Sequence, residues 1–297
     1  TDISLKHEGS HSSSAQIRCT PEKFELSFNP SRWNRKDNLF GMDIEQIKTF
    51  LNNEFMPSIN QPPFTGGKVK IMQLPGGKEK TIYDGASITM VDATINIKTG
   101  SPENLLDIMA HLKTQALKRK KTTGYDNTIY YGQRSTYRAT KVYKKGEEIA
   151  KKAETLYEKS LIDYCNKYGI MRIETRFKAN WLRRNNLRTW DNITHEKICE
   201  AFKEDIEDMT KETEKLNLTE IPNAVLGTLY LYQSGYNPKE HLSKNTYYKH
   251  RKILKKYGYD IANCNIVRLP NKQKKIVLEV AVPPDWYEMP KDYSEIK

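Results

Sequence analysis

Apolar and polar positions alternate most regularly in three stretches of the chain. Residues 15–29 (AQIRCTPEKFELSFN) alternate on either side of Thr20-Pro21, which predicts a half-buried hairpin. Residues 87–98 (SITMVDATINIK) predict a strand with Thr89, Val91, Ala93, Ile95 and Ile97 on one face and Ile88, Met90, Asp92, Thr94 and Asn96 on the other. Residues 170–178 (IMRIETRFK) predict another, with Met171, Ile173, Thr175 and Phe177 opposite Arg172, Glu174 and Arg176. Both polar faces thus carry a carboxylate at mid-strand, which is costly unless it is paired, solvated or bound to a metal.

Helical spacing takes over elsewhere. Asp43 with Gln46 forms a variant capping box, and Ile44, Ile47, Phe50, Leu51 and Phe55 then predict a helix over 43–57. Residues 61–77 read as a Pro/Gly-rich loop. Ser101 as N-cap and Pro102 open a helix whose apolar stripe is Leu105, Leu106, Ile108, Met109, Leu112 and Leu117. A charged helix is expected from about Glu147 to Tyr168. From Thr194 the chain turns helical and acidic, which places a domain boundary near residue 185.

After Pro222 the pattern predicts a helix over 223–233, a turn containing Gly235, and a second helix capped by Ser243, stapled by Leu242 on Tyr247 and ended by Gly258. Tyr247, His250, Ile253, Leu254 and Tyr257 share one side of that helix, and Asn245, Lys249, Lys252 and Lys256 the other. This is the outline of a helix-turn-helix, although αα-hairpins that bind nothing share it. Residues 265–269 and 275–282, joined by the basic turn Asn271–Lys274, can supply a wing. The expected fold is α+β: an antiparallel-sheet domain over 1–185, then a mainly helical, winged-helix-like domain over 186–297.

Charge changes this picture. The 297 residues carry a formal net charge of +12, concentrated in two places. Residues 112–145 hold ten Lys/Arg against Asp126 alone, and residues 239–256 hold seven bases against Glu240. Local basic patches are the pattern of a nucleic-acid binder, and solvated helix faces are the alternative. Arg134, Arg138, Lys141 and Lys144 in the first patch, and Lys249, Lys252 and Lys256 in the second, are the candidate DNA contacts. Cys19, Cys165, Cys199 and Cys264 form no CxxC and no zinc spacing, which fits a reducing compartment. No apolar run approaches the ~18 residues of a membrane span, and no signal-peptide core is present. A soluble, cytoplasmic protein with no membrane partner is expected. Thr1 opens as if inside a longer sequence, so a missing native start is expected too.

Candidate chemistry gathers at residues 127–148 (NTIYYGQRSTYRATKVYKKGEE). Tyr143 is followed by Lys144, Lys145 and Glu148. A phenol with a reference pKa of about 10 is a poor nucleophile unless a cation or metal favours its phenolate. If the strands pair in one sheet, Asp92, Glu148 and Glu174 converge beside it, and oxygen ligands suit Mg²⁺ or Mn²⁺ rather than zinc. Taken singly the residues have plainer readings, Glu174 as a cross-strand ion pair between Arg172 and Arg176, and Tyr143 as one core tyrosine among 18. The six histidines show no metal-ligand spacing.

The order of EGSHSS (8–13), NPSRW (29–33), NLFG (38–41), VDATI (91–95), YKKGEE (143–148), RIETRFK (172–178), YYKHRKILKKYGYD (247–260) and DWYEMP (285–290) resembles the replication initiators of filamentous phages, the gene II/X family. The resemblance covers most of the chain. It implies a nicking and strand-joining domain over 1–185, in which Tyr143 is the nucleophile, Lys145 its following lysine, and Asp92, Glu148 and Glu174 the acids. It also implies rolling-circle initiation through a 5′-phosphotyrosine, with origin DNA, duplex and single-stranded, as partner and host helicase and replication proteins as further ones. Many members carry Gly-His where this chain has Lys36-Asp37, and the His-hydrophobe-His metal motif is absent. A DNA-binding regulator without chemistry is the alternative.

Overall fold

The computed structural model describes residues 3–6, 14–114, 122–125, 127–151, 153–214, 221–257, 259–262 and 278–291. The chain divides into two compact units, each assembled from distant segments. The first takes residues 1–88, 185–196 and 282–297; the second takes 89–184 and 197–281.

In the first unit β1 (Ile3–Lys6), β2 (Gln16–Thr20) and β3 (Lys23–Ser27) form an antiparallel sheet, with the expected hairpin as β2 and β3. Asp43 caps α1 (Ile44–Phe50) with the full reciprocal capping box, and the helix continues as a π-helical turn over Leu51–Phe55 into the short α2 (Met56–Ser58). Ala15, Ile17, Phe50, Leu51, Phe55 and Met56 make its core, with Phe28, Trp33 and Trp190 packed around them. Residues 61–77 are not a loop throughout. β4 (Val69–Leu74) pairs with β5 (Lys78–Tyr83) as a separate ribbon that the Pro/Gly content had masked.

Segment 282–291 folds back onto the loop at 35–40. The Tyr287 hydroxyl donates to Asp37 Oδ1 at 2.6 Å and accepts from the Phe40 N–H at 3.0 Å and from Arg35 at 3.0 Å. Asp37 is buried and also takes the Leu39 N–H at 2.7 Å. The Lys36-Asp37 departure noted in the sequence is therefore a structural link between two of its motifs.

The second unit is built on an antiparallel sheet of six strands, ordered β11-β6-β10-β9-β8-β7. These are β6 (Met90–Lys98), β7 (Thr122–Gly124), β8 (Thr128–Tyr131), β9 (Arg138–Lys144), β10 (Ile170–Lys178) and β11 (Glu279–Val280). One face is the core, where Ile129, Tyr131, Val142, Ile173 and Phe177 are buried. Helix α3 (Pro102–Thr114) packs against β10, β7 and β8, and the Tyr131 hydroxyl donates to the Leu112 carbonyl at 2.7 Å.

The single charged helix expected over 147–168 is two helices, α4 (Lys145–Ala150) and α5 (Leu156–Tyr168). Thr155 with Glu158 restarts the second through its own capping box. Gly169 ends α5 with a φ of +57°, where a Cβ would lie 2.2 Å from the Ser101 carbonyl, so only glycine lets β10 begin there. α6 (Ala179–Arg184) follows β10, and α7 (His195–Glu214) carries the acidic stretch.

α8 (Asn223–Gln233) and α10 (Lys244–Lys256) are the expected helix pair, joined through a further short helix, α9 (Pro238–His241), rather than by a plain turn. Val225, Leu229, Tyr232, Tyr247 and Leu254 form their shared core, and Leu242 packs against it. The Thr228 hydroxyl and His250 Nδ1 bridge the pair at 2.6 Å. Of the expected wing, 265–269 and the turn Asn271–Lys274 lie outside the described residues, as does Gly258. Its second strand is described only from residue 278, and Glu279–Val280 pairs with β6 at the edge of the central sheet.

Candidate active site

Register across the central sheet decides which side chains meet. Arg172 on β10 stands between Asn96 on β6 and Tyr143 on β9, and Tyr143 in turn faces Thr128 on β8. The next row is Thr94, Glu174, Lys141 and Tyr130; the row beyond is Asp92, Arg176 and Ala139. Because side chains alternate with a period of two, these rows share the face opposite the apolar core. That face is polar, and its exposure grows from the buried Arg172–Tyr143 row outward to Asp92 and Arg176.

Tyr143 lies at the centre of the sheet with 6% of its surface exposed. Its hydroxyl donates to Glu174 Oε2 at 3.4 Å, and the Lys141 ammonium sits 4.2 Å from the ring centroid and 3.8 Å from the same carboxylate. Burial pushes the phenol well above its ordinary pKa; Arg172 works against that rise, while Glu174 and Glu148 add to it. The hydroxyl is thus held protonated at neutral pH, with a carboxylate placed to receive the proton.

At the end of the strand the chain turns straight into α4, which brings Lys145 and Glu148 together on its first turn. Lys145 Nζ donates to Glu148 Oε2 at 2.5 Å, and its side chain is 1% exposed. Burial, helped by the neighbouring Arg172, lowers its pKa to about 8 against the opposing pull of Glu148.

The expected trio of metal ligands is not assembled. Asp92 is held by Arg176, whose Nε and Nη2 donate to its two oxygens at 2.7 Å each. Glu148 is engaged by Lys145, and Glu174 by Tyr143 and Lys141. Among the described residues no group of three His, Cys, Asp or Glu side chains is arranged to hold a metal ion. Each acid has a cation of this chain where a divalent ion would have to bind, so these residues do not fit a ready-made Mg²⁺ or Mn²⁺ site.

The basic candidates separate by strand parity. Lys141 shares the Tyr143 face, but Arg138 and Lys144 lie on the other. Arg138 pairs with the buried Asp205 of α7 at 3.1 Å, where Thr140 and Thr175 also meet, and Lys144 pairs with Glu147 at 2.7 Å. Arg134 is exposed between β8 and β9. On α10, Lys249, Lys252 and Lys256 are all exposed, whereas Arg251 and Lys255 turn to Asp260 at 2.7 and 3.0 Å. Sequence reasoning missed Arg172 as a site residue, although its place on the polar side of the 170–178 alternation was the signal for it.

Residues 2–196 match the family of the N-terminal part of the phage replication-associated protein (the gene II protein), and residues 214–293 match the family of its C-terminal part. The chain is 25% identical to the replication-associated protein of Escherichia phage If1, over 90% of this chain and 94% of that protein. It is 26% identical to the protein of the same name from Enterobacteria phage I2-2, over 81% of this chain and 72% of that one. No solved structure matches the chain. With matches running through both the Tyr143 sheet and the α8–α10 helices, this chain belongs to the replication-associated gene II protein family of filamentous phages.

Proposed function

We propose that this chain initiates rolling-circle replication by nicking one strand of its phage's origin, with Tyr143 as the nucleophile. The observation that carries the reading is the pairing of Tyr143 with Glu174 on the polar face of the central sheet, with Arg172 on the neighbouring strand. In the step proposed, Tyr143 Oη attacks phosphorus and its proton passes to Glu174. The bond from phosphorus to the 3′ oxygen breaks, and that oxygen leaves as a free hydroxyl after taking a proton. The 5′ phosphate stays on Tyr143 until a 3′ hydroxyl attacks it and restores the phosphodiester. Arg172 and Lys141 bring positive charge to the phosphate as negative charge builds on its oxygens, the kind of fixed electrostatic help worth most in a site with little water. Lys145 acts through Glu148, holding it at the edge of the site.

No step is routed through a metal ion, because Asp92, Glu148 and Glu174 are committed to Arg176, Lys145 and the Tyr143–Lys141 pair. Origin DNA is the substrate, with Lys141 and Arg134 on the sheet side and Lys249, Lys252 and Lys256 on α10 as its contacts.

The test is covalent capture of labelled single-stranded origin DNA. Tyr143→Phe keeps the ring but removes the attacking oxygen, so it should bind the strand and form no adduct. Tyr130→Phe should still form one. Glu174→Gln should form it 10²- to 10⁴-fold more slowly, the range for loss of a general base. DNA binding without any adduct in the unaltered protein would favour a regulator without chemistry.

A further inference from the structure

The β4–β5 ribbon of the first unit is built as an exposed two-stranded arm. All six residues of β4 are exposed, including Val69, Ile71, Met72 and Leu74. A two-stranded ribbon is marginal alone, so this one depends on its root. There Lys68 N–H donates to Asp84 Oδ1 at 2.6 Å, and the Asp84 N–H returns to the Lys68 carbonyl at 3.2 Å. Asp191 accepts from the Gly67 N–H at 3.1 Å and from the Tyr83 hydroxyl at 2.9 Å. The tip is Pro75-Gly76-Gly77, with φ of +84° and +73° at the glycines and nothing within 4 Å of a Cβ built on either.

The two faces of the arm differ. One carries Val69 opposite Tyr83, Ile71 opposite Thr81, and Gln73 opposite Glu79, and the only acid of these, Glu79, accepts from Gln73 at 2.7 Å. The other pairs Lys70 with Ile82, Met72 with Lys80, and Leu74 with Lys78. Each cross-strand pair on that face is one lysine beside one apolar side chain, and no carboxylate interrupts it. Lys70 reaches back to Asp84 at 2.6 Å, which leaves Lys78 and Lys80 toward the tip.

We propose that this arm enters a groove of duplex DNA, with Lys78 and Lys80 on the phosphates and Met72 and Leu74 against the base edges. The major groove admits a two-stranded ribbon, and six residues per strand span roughly 20 Å. Lysines without acids match a polyanion, and Tyr83, the ribbon's one aromatic side chain, is at the root, away from any stack of single-stranded bases. The proposal rests on the reading of this chain as an origin-binding protein and is tested without chemistry.

The measurement is anisotropy of a labelled mixed-sequence 30-base-pair duplex across a salt series, with the full chain. Lys78→Gln with Lys80→Gln should flatten the log-log salt slope by about 0.9 per lysine, leaving affinity for a single strand unchanged. Leu74→Ser should weaken duplex binding with the slope unaltered. Lys159→Gln with Lys203→Gln, exposed lysines elsewhere, should leave duplex binding as it was. An unchanged slope in the arm variant, an equal loss in the control pair, or a change confined to sedimentation of the free protein would overturn the proposal. Absence of a covalent adduct would bear only on the nicking reading, because no bond is made or broken in this assay.

Discussion

At Tyr143 the decisive facts are its neighbours on adjoining strands. Glu174 and Arg172 are two residues apart on β10, so both fall beside the phenol on one face. Asp92 was open in the sequence to metal or ion-pair duty, and its register opposite Arg176 brings it into an ion pair. Glu174 pairs with Lys141 while accepting from Tyr143. Composition shows that such groups exist, but only strand pairing shows which meet.

Lys145 offers a test at the same scale. Its pKa is lowered to about 8 from 10.5 in the folded chain. Between these values the unfolded chain binds more protons, so the stability lost by burying the ammonium is recovered as pH rises from about 8 to 10.5. A shift of that size corresponds to about 3 kcal/mol. Lys145→Met should remove this term. The difference in urea unfolding free energy between wild type and variant should therefore move in favour of the wild type as pH is raised from 7.5 to 10, and parallel pH profiles would contradict the assignment.

At the level of elements, the basic run of 112–145 was legible as charge but not as one surface. β9 sends Arg138, Thr140, Val142 and Lys144 to one face and Lys141 and Tyr143 to the other, so a contiguous patch in sequence is split by the pleat. Arg138 neutralises Asp205, whose side chain is fully buried. Arg138→Ala should accordingly destabilise the fold by about 3 kcal/mol, the range for stranding one member of a buried pair, as read by denaturant unfolding. An affinity defect at unchanged stability would restore Arg138 to the DNA contacts.

The α10 pattern was legible because a helix with one buried stripe writes it at a spacing of three and four residues. Tyr247 and Leu254 are buried while Lys249, Lys252 and Lys256 are exposed, as that spacing requires. Neutralising the three lysines should flatten the salt dependence of duplex binding by about 0.9 in log-log slope for each phosphate left without its lysine. An unchanged slope would remove DNA binding from this helix. The break between α4 and α5 was written in the sequence as the Thr155-x-x-Glu158 capping box, but the charged run on either side of it reads as one continuous helix.

For the whole molecule, the mixed α and β composition and the antiparallel sheet could be read in advance, since both long strands announce themselves by alternation. The compact units could not, because residues 185–196 and 282–297 join 1–88 through contacts distant in sequence. Tyr287 reaching Asp37 across 250 positions is one such contact. Tyr143, Glu174 and Arg172 nonetheless lie on neighbouring strands of one sheet. The most direct measurement is therefore to let the protein react with single-stranded origin DNA, digest the adduct with nuclease and protease, and locate the nucleotide by peptide mass spectrometry. The account predicts one phosphodiester-linked nucleotide on the peptide that carries Tyr143, joined through its 5′ phosphate. A nucleotide on Tyr130, Tyr131, Tyr137 or any other residue would contradict it.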